Sequence, residues 1–127
     1  LRAETAERAE LSGLNLVWET NTAGCETLAS YQLHVLRSLI REALSNTIKY
    51  AGASAISVTI AIVDGWLTLR FADNGTGFAL DGVKLGHGLE NMQTRVRSLG
   101  GQFDLSSDAD GTRLFARFET QQMDVVD

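Results

Sequence analysis

The sequence has no proline, a single cysteine and no apolar run near the roughly 20 residues of a membrane-spanning helix. Cys25 therefore has no partner for an internal disulfide, which fits a reducing compartment. Without proline, glycine is expected to end most elements. Basic residues are also few, with 11 Lys and Arg against 16 Asp and Glu, giving a net charge of -5. Nucleic-acid binding needs clustered positive charge, so this balance argues against nucleic acid as a direct partner.

The sequence also lacks a secretory signal, an internal repeat, a Cys/His metal cluster and the G-x-x-x-x-G-K-[ST] phosphate loop. What is present suits a packed domain, because 44% of the 127 residues are hydrophobic and only 21% are charged. We therefore expect residues 1–127 to form a single domain. The chain starts at Leu1 rather than methionine, so we expect it to be a piece of a longer protein.

Helical periodicity marks two stretches in the first half of the chain. Residues 1–13 predict a polar helix that ends near Gly13. Residues 31–50 predict a longer helix, with Glu42, Asn46 and Lys49 together on its polar side. The apolar stripe of that helix is expected to contain Leu33, Leu36, Ile40, Ala43, Leu44, Thr47 and Ala51.

Apolar alternation predicts strands, and the cleanest case runs from Ala55 to Val63. Asp64-Gly65 follows it as a tight-hairpin signal, because both residues tolerate positive φ. A third helix is expected from His87 or Gly88 to Leu99, whereas the tail, residues 119–127, has no clear pattern. These elements predict an α+β fold, a two-layer α/β sandwich with a mixed, mostly antiparallel sheet and helices on one face. The expected strands are residues 14–19, 55–63, 67–71, 102–106 and 112–118, the last two joined across Asp108-Ala109-Asp110-Gly111.

An acidic residue at a glycine turn ends the second strand of the first hairpin. A buried Asp73 carboxylate only accepts hydrogen bonds, so it would suit an exocyclic amino group such as that of adenine. Gly75 and Gly77 would let the backbone approach a flat ligand. Phe78 could close the side of such a pocket or simply pack. The alternative is an ordinary Asp-Asn-Gly turn.

The polar side of the long helix carries side chains that could bind a metal ion and a phosphate. Asn46 provides a neutral oxygen of the kind that Mg²⁺ accepts beside phosphates and water. Glu42, one turn earlier, could hold a water or orient the metal ligands, and Lys49 could reach a phosphate as a point charge. Tyr50 is as readily explained by packing as by chemistry. The alternative is the solvated edge of an amphipathic helix.

A glycine-framed helix start follows further along the chain. Gly86-His87-Gly88-Leu89 would present free N–H groups and the positive end of the helix dipole to phosphate, with His87 contributing its backbone N–H. The alternative is a plain glycine-rich helix entry. Thr112 could add a hydroxyl to the pocket or belong only to the last hairpin. Together the three motifs predict a nucleotide site with a magnesium ion.

These motifs resemble the nucleotide-binding boxes of the gyrase, heat-shock chaperone, histidine kinase and MutL (GHKL) ATPases. The similarity to their N, G1 and G2 boxes lies in Glu42-x-x-x-Asn46-x-x-Lys49-Tyr50-Ala51, Asp73-x-Gly75-x-Gly77-Phe78 and Gly86-x-Gly88-Leu89. The flanking residues are most similar to bacterial sensor histidine kinases of the nitrate-sensor and membrane-fluidity-sensor class. That class often has histidine where this chain has Tyr50.

The resemblance implies ATP and Mg²⁺ as cofactors. Asn46 would coordinate magnesium with support from Glu42, Lys49 would approach phosphate, and Asp73 would bind the adenine amino group. The resemblance also implies a pocket shaped by Gly75, Gly77, Gly86 and Gly88, contacts from Tyr50, Phe78, His87, Leu89 and Thr112, and an ATP lid at residues 79–86.

The resemblance further implies a histidine protein kinase that transfers the γ-phosphate to a histidine on a dimerisation hairpin. Residues 1–12 contain no histidine, so this fragment alone is not expected to autophosphorylate. The implied partner is a response regulator of the LuxR type, and the implied location is a cytoplasmic domain of a membrane-anchored parent. Two alternatives remain open: a serine kinase acting on an anti-sigma-factor partner, and a nucleotide-binding or interaction module without turnover.

Overall fold

A five-stranded sheet and three α-helices account for most of the structure, a computed structural model that describes residues 1–21, 28–76 and 88–120. The helices are α1 (Arg2–Leu11), α2 (Ser30–Asn46) and α3 (Gly88–Ser98), and a π-helical turn (Thr47–Ala51) follows α2 directly. The strands are β1 (Asn15–Asn21), β2 (Ala55–Val63), β3 (Trp66–Asp73), β4 (Gln102–Asp108) and β5 (Gly111–Glu119).

The sheet has the strand order β1-β2-β3-β5-β4. β1 runs parallel to β2, and the other three pairings are antiparallel. The predicted α+β fold with a mixed, mostly antiparallel sheet is therefore confirmed. The Asp64-Gly65 hairpin is confirmed as well, because both residues have positive φ, 53° and 80°.

The core lies between the helices and one face of the sheet. Burial alternates along β2 and β3, so every second side chain points into the core. Met92 and Val96 of α3 are buried against this layer, as their spacing predicts. The fully buried side chains include Leu36, Leu39, Ile40, Leu44, Val58, Leu67, Leu69 and Phe118.

Helix α2 corrects two expectations about its faces. Leu33, expected in the apolar stripe, is 36% exposed, whereas Val35 and Leu39 are buried. Asn46, expected on the polar side, is only 5% exposed. Asn46 follows Leu39 by seven residues and Ala43 by three, so it lies on the same helix face as these core residues.

The end of α2 also differs from the expected regular helix. From Thr47 to Ala51 the helix widens into a π-turn, and Gly52 ends it with a φ of 61°. Such turns are rare and are frequently found at functional sites. The side chains after Asn46 therefore do not follow the 100° spacing on which the predicted faces depended.

Helix α1 does more than present a polar surface, because Thr5 and Ala9 are buried. Glu4 accepts hydrogen bonds from the guanidinium of Arg41 on α2, and this contact lowers the pKa of the Glu4 carboxyl below its usual value. These contacts fix α1 beside α2. No helix in the described ranges is both long and apolar enough to cross a membrane.

Candidate nucleotide site

The Asp73 carboxylate, at the end of β3, is buried and accepts three hydrogen bonds. Its Oδ2 accepts a hydrogen bond from the Thr47 hydroxyl at 2.9 Å. Its Oδ1 accepts from the backbone N–H of Gly75 at 3.0 Å and of Thr112 at 3.1 Å. Asp73 is only 6% exposed, so its carboxylate has little contact with water. The three protein donors supply the hydrogen bonds that water would otherwise make. The three bonds fix the orientation of the carboxylate.

The turn after Asp73 is tied to the start of β2 by Asn74. The Asn74 side-chain oxygen accepts from the N–H groups of Ser54 and Ala55, both at 2.9 Å, and its amide donates to the Ser54 hydroxyl. The Asn74 N–H donates to the carbonyl of Ala55. These bonds tie the turn after Asp73 to the start of β2, which limits movement of the Asp73 carboxylate.

A small, mostly apolar pocket opens beside this carboxylate. The end of α2 and the π-turn that follows it supply Ala43, Asn46 and Thr47 to this pocket. Thr47 and Thr112 thus line the pocket and bond Asp73 at the same time, so the carboxylate sits directly behind the pocket wall. The sheet supplies the rest of the lining from β3, β4 and β5: Phe71, Leu105, Thr112 and Leu114.

Asn46 brings an unpaired polar atom to this pocket. Its side-chain nitrogen, Nδ2, is buried and has no hydrogen-bond partner within the described residues. A buried amide without a partner costs on the order of 1–3 kcal/mol, so such groups are uncommon in folded proteins. The amide thus lies in the pocket wall ready for a polar ligand group.

Gly111 makes the approach of β5 to Asp73 possible. A Cβ at this position would lie 2.0 Å from the carbonyl oxygen of Asp73 and 3.3 Å from its Oδ1. Gly111 also has a φ of 128°, a conformation that other residues rarely adopt. Because Thr112 follows immediately, this close approach is what brings the Thr112 N–H to the carboxylate.

The structure brings together Asn46, Asp73, Gly75 and Thr112 among the predicted site residues. Glu42 is half-buried and Lys49 is exposed, and neither lines the pocket. Gly88 is the first residue of α3, as predicted. The remaining predictions fall outside the described residues: Gly77, Phe78, Gly86, His87, the lid at residues 79–86, and the side chains of Tyr50 and Leu89.

Two residues of the site were missed by sequence reasoning. Thr47 was assigned to the apolar stripe of α2, but it is a buried hydroxyl that bonds Asp73. A single threonine within that stripe was the available signal. Gly111 was assigned only to a turn, and nothing in the local sequence indicates its contact with Asp73.

Comparison with known proteins identifies a family and two named relatives. Residues 32–122 match a family described as histidine kinase-, DNA gyrase B- and HSP90-like ATPases. The sensor protein VraS of Staphylococcus aureus is 33% identical over 96 residues, which cover 74% of this chain and 27% of the relative. The sensor histidine kinase LiaS of Bacillus subtilis is 36% identical over 83 residues, 64% of this chain and 23% of the relative. The chain thus spans about a quarter of the length of these relatives.

Solved structures show the same fold at low sequence identity. The blue-light activated histidine kinase of Erythrobacter litoralis EL346 matches 98% of this chain and 42% of its own, with a TM-score of 0.77 and 16% identity. The histidine kinase AdeS of Acinetobacter baumannii matches 94% of this chain and 61% of its own, with a TM-score of 0.72 and 16% identity. Full-length ShkA, in complex with AMPPNP, matches 93% of this chain and 29% of its own, with a TM-score of 0.71 and 20% identity.

The family match covers most of the chain and includes α2, β2, β3 and β5, the elements that hold the Asp73 carboxylate and the pocket. The chain belongs to the histidine kinase-, DNA gyrase B- and HSP90-like ATPase family.

Proposed function

We propose that this chain is the ATP-binding catalytic domain of a sensor histidine kinase. It binds magnesium and ATP and supplies the γ-phosphate to a histidine on a dimerisation hairpin that this chain does not contain. The observation that carries the proposal is the buried Asp73 carboxylate, oriented by three hydrogen bonds behind an apolar pocket. The relatives are named sensor protein VraS and sensor histidine kinase LiaS, and these names support the same function.

Adenine carries an amino donor that the Asp73 acceptor would suit, and the pocket, which now has room for about one water molecule, would have to widen to admit the base. A carboxylate accepts hydrogen bonds only, so Asp73 selects a base with an N–H group at the matching position. Phe71, Leu105 and Leu114 offer apolar contact to the ring. The Thr47 hydroxyl and the Thr112 backbone N–H hold the carboxylate. Thr112 also lines the pocket, where its side chain would contact the nucleotide.

The phosphate side depends on the polar residues of α2 and on the start of α3. The unpaired Asn46 side-chain nitrogen is a hydrogen-bond donor, so a ligand group that accepts a hydrogen bond in the pocket would pair it, whereas magnesium would need the side-chain oxygen. Asn46 would hold magnesium with Glu42 in support, and Lys49 would approach phosphate as a mobile, exposed point charge. Magnesium, when bound, neutralises charge on the transferring phosphoryl group. The residues of this chain bind and orient the donor.

The complete protein would hold the other parts of the reaction. We propose a phosphoacceptor histidine on its dimerisation hairpin, a LuxR-type response regulator as its partner, and a membrane-anchored parent with this domain on the cytoplasmic side. Assignment to the nitrate-sensor and membrane-fluidity-sensor class depends on the motif residues around Asn46 and Gly88. On this basis the chain alone binds nucleotide without phosphorylating itself.

Calorimetric titration with a non-hydrolysable ATP analogue and magnesium tests the nucleotide site. Asp73→Asn replaces one acceptor oxygen with a donor, so we expect binding to weaken by about 10- to 100-fold. Asp64→Asn is the matched control, because it makes the same change in a hairpin turn at the opposite end of β3, and Asn-Gly supports the same turn. We expect the control to bind like the parent.

A second ligand tests the role of the base without altering the protein. The corresponding inosine analogue replaces the amino group with a carbonyl, so the parent should bind it at least about tenfold more weakly than the adenine analogue. Asp73→Asn should lose most of that discrimination. A folded parent that binds neither analogue, or binds both equally, would contradict the proposed adenine site.

A further inference from the structure

Thr47 uses its hydroxyl differently from other hydroxyls on the helices. Thr5, Thr94 and Ser98 each donate to a backbone carbonyl three or four residues earlier in the chain, at 2.8, 3.1 and 2.7 Å. This local bond to the helix backbone is common for Ser and Thr in helices. Thr47, the first residue of the π-turn, instead donates to the side chain of Asp73, 26 residues further along the chain. Its hydroxyl therefore makes a tertiary contact at the pocket.

The position of the Thr47 hydroxyl is fixed by the helix that carries it. The side chain is only 3% exposed, and it lines the pocket next to Asn46. The Thr47 N–H remains in the helix and donates to the carbonyls of Ala43 and Leu44. A β-branched side chain on helical backbone is restricted at χ1. The hydroxyl is therefore restrained to point at Asp73.

The bonds to Asp73 leave little of its carboxylate for a ligand. An ionised carboxylate has about four acceptor sites, two on each oxygen. Oδ1 accepts the N–H groups of Gly75 and Thr112, so both of its sites are used. Oδ2 accepts the Thr47 hydroxyl. Within the described ranges, one acceptor site is left, on Oδ2, and the Thr47 bond decides which of the two sites on that oxygen it is.

The same bond removes a donor from the pocket wall. A hydroxyl has one proton, and Thr47 gives it to Asp73, so the Thr47 oxygen can only accept from a ligand. The Thr112 N–H is used by Asp73 in the same way. This part of the wall therefore favours a base that presents an N–H group. A base that presents a carbonyl at the same place would meet lone pairs, without a hydrogen bond.

We propose that Thr47 is a positioning residue that sets base selectivity: by donating to Oδ2, it holds Asp73 as an acceptor for one amino N–H and so favours a 6-amino purine over a 6-oxo purine. This inference rests on the proposed nucleotide site and adds a residue to it. Without the Thr47 hydroxyl, Oδ2 loses its restraint within the described ranges, and ordering the carboxylate on binding then costs affinity. An oxo base makes no bond to Oδ2, so it loses little.

Titration of Thr47→Val with the non-hydrolysable ATP analogue and with its inosine counterpart, both with magnesium, tests the inference. Valine keeps the branched shape of threonine and removes the hydroxyl. We expect the affinity for the adenine analogue to fall by about three- to tenfold, and that for the inosine analogue to change by less than about twofold. The preference for adenine thus decreases, whereas a general loss of packing would weaken both analogues alike.

Two variants serve as controls. Thr120→Val makes the same change at a threonine that is also 3% exposed and donates to the carbonyl of Gly65 at 2.9 Å, at the opposite end of β3 from Asp73. It should lower the unfolding free energy but keep the preference of the parent for adenine. Thr47→Ser retains the hydroxyl, so its preference should lie within about twofold of that of the parent.

The Asp73→Asn protein tests whether Thr47 acts through the carboxylate. In this background the acceptor that Thr47 orients is already altered, so adding Thr47→Val should change the preference between the two analogues by less than about twofold. An effect of Thr47→Val as large in the Asp73→Asn protein as in the parent would mean that Thr47 reads the base directly. That result would overturn the positioning role.

The outcomes also separate this inference from the nucleotide site on which it rests. An unchanged preference in folded Thr47→Val, or an equal change in Thr120→Val, would overturn the role of Thr47 and leave the nucleotide site in place. A folded parent that binds neither analogue would remove the nucleotide site, and this inference with it. Circular dichroism checks that each variant is folded. If Thr47→Val does not fold, Thr47→Ala removes the same hydroxyl with a smaller side chain, and the same expectations apply.

Discussion

Replacing Gly111 by alanine tests how closely β5 must approach Asp73. The new methyl group would lie 2.0 Å from the Asp73 carbonyl oxygen, well inside the roughly 3 Å below which carbon and oxygen atoms do not pack. The backbone at residue 111 also has a φ of 128°, which alanine rarely adopts. Either the strand moves by about 1 Å or the residue changes conformation, and both draw the Thr112 N–H away from the carboxylate.

Two terms set the expected loss of stability. An unfavourable backbone conformation costs about 1–3 kcal/mol. Loss of the hydrogen bond from Thr112 to a buried carboxylate adds about 1.5–3 kcal/mol. We therefore expect Gly111→Ala to lower the free energy of unfolding by about 2.5–6 kcal/mol. Gly100→Ala is the matched control, because Gly100 has a φ of 75° but nothing within 4 Å of its hypothetical Cβ, so about 1–2 kcal/mol of backbone strain is expected there.

Urea unfolding measures the stability of both variants, and titration with an ATP analogue measures their affinity for nucleotide. Gly111→Ala should lose stability and also bind nucleotide more weakly, since Asp73 loses one of the donors that orient it. Gly100→Ala should lose stability alone. The reasoning fails if the two variants differ by less than about 0.5 kcal/mol in unfolding free energy, a margin comparable to the error of such comparisons.

Substitutions at three further positions test the contacts around the same carboxylate. Asn46→Leu removes the unpaired buried amide, so it should raise the unfolding free energy of the nucleotide-free protein by about 1 kcal/mol while abolishing magnesium-dependent binding; a less stable variant would contradict this. Thr47→Val keeps the shape but removes the donor to Asp73, and should cost about 1.5–3 kcal/mol in urea unfolding, whereas Thr47→Ser should cost less than half of that. Asn74→Ala should speed hydrogen exchange of the N–H groups at the start of β2 by about tenfold, and unchanged exchange would show that the Asn74 contacts are not needed there.

The strands and α3 were predictable because their signals are local. Ile56, Val58 and Ile60 alternate with small polar residues, and this period of two identifies both the strand and its buried face. Asp64-Gly65 then specifies the turn, which the positive φ of both residues bears out. The Asp73 motif likewise marked the carboxylate from its immediate neighbours.

The rest of the site depends on contacts between distant parts of the chain. The Thr112 N–H reaches Asp73 across 39 residues, and the Thr47 hydroxyl reaches it across 26. No local sequence pattern indicates contacts between residues that are so far apart in the sequence. Asn46 was placed on the polar side because it lies four residues after Glu42 and three before Lys49, yet its spacing from Leu39 and Ala43 puts it on the buried face. The π-turn that follows departs from the regular helical period, so helical spacing could not predict it either.

The parallel pairing of β1 with β2 bears on where this domain can be cut. The family match begins at residue 32, whereas β1 pairs with β2 along seven residues, from Asn15 to Asn21. A fragment started at residue 32 would leave β2 with an open hydrogen-bonding edge next to Ile56, Val58 and Ile60. Open edges of this kind pair with other molecules and promote aggregation. For expression or domain-exchange experiments, the N-terminal boundary therefore belongs ahead of α1, which covers the start of β1, rather than where family similarity begins.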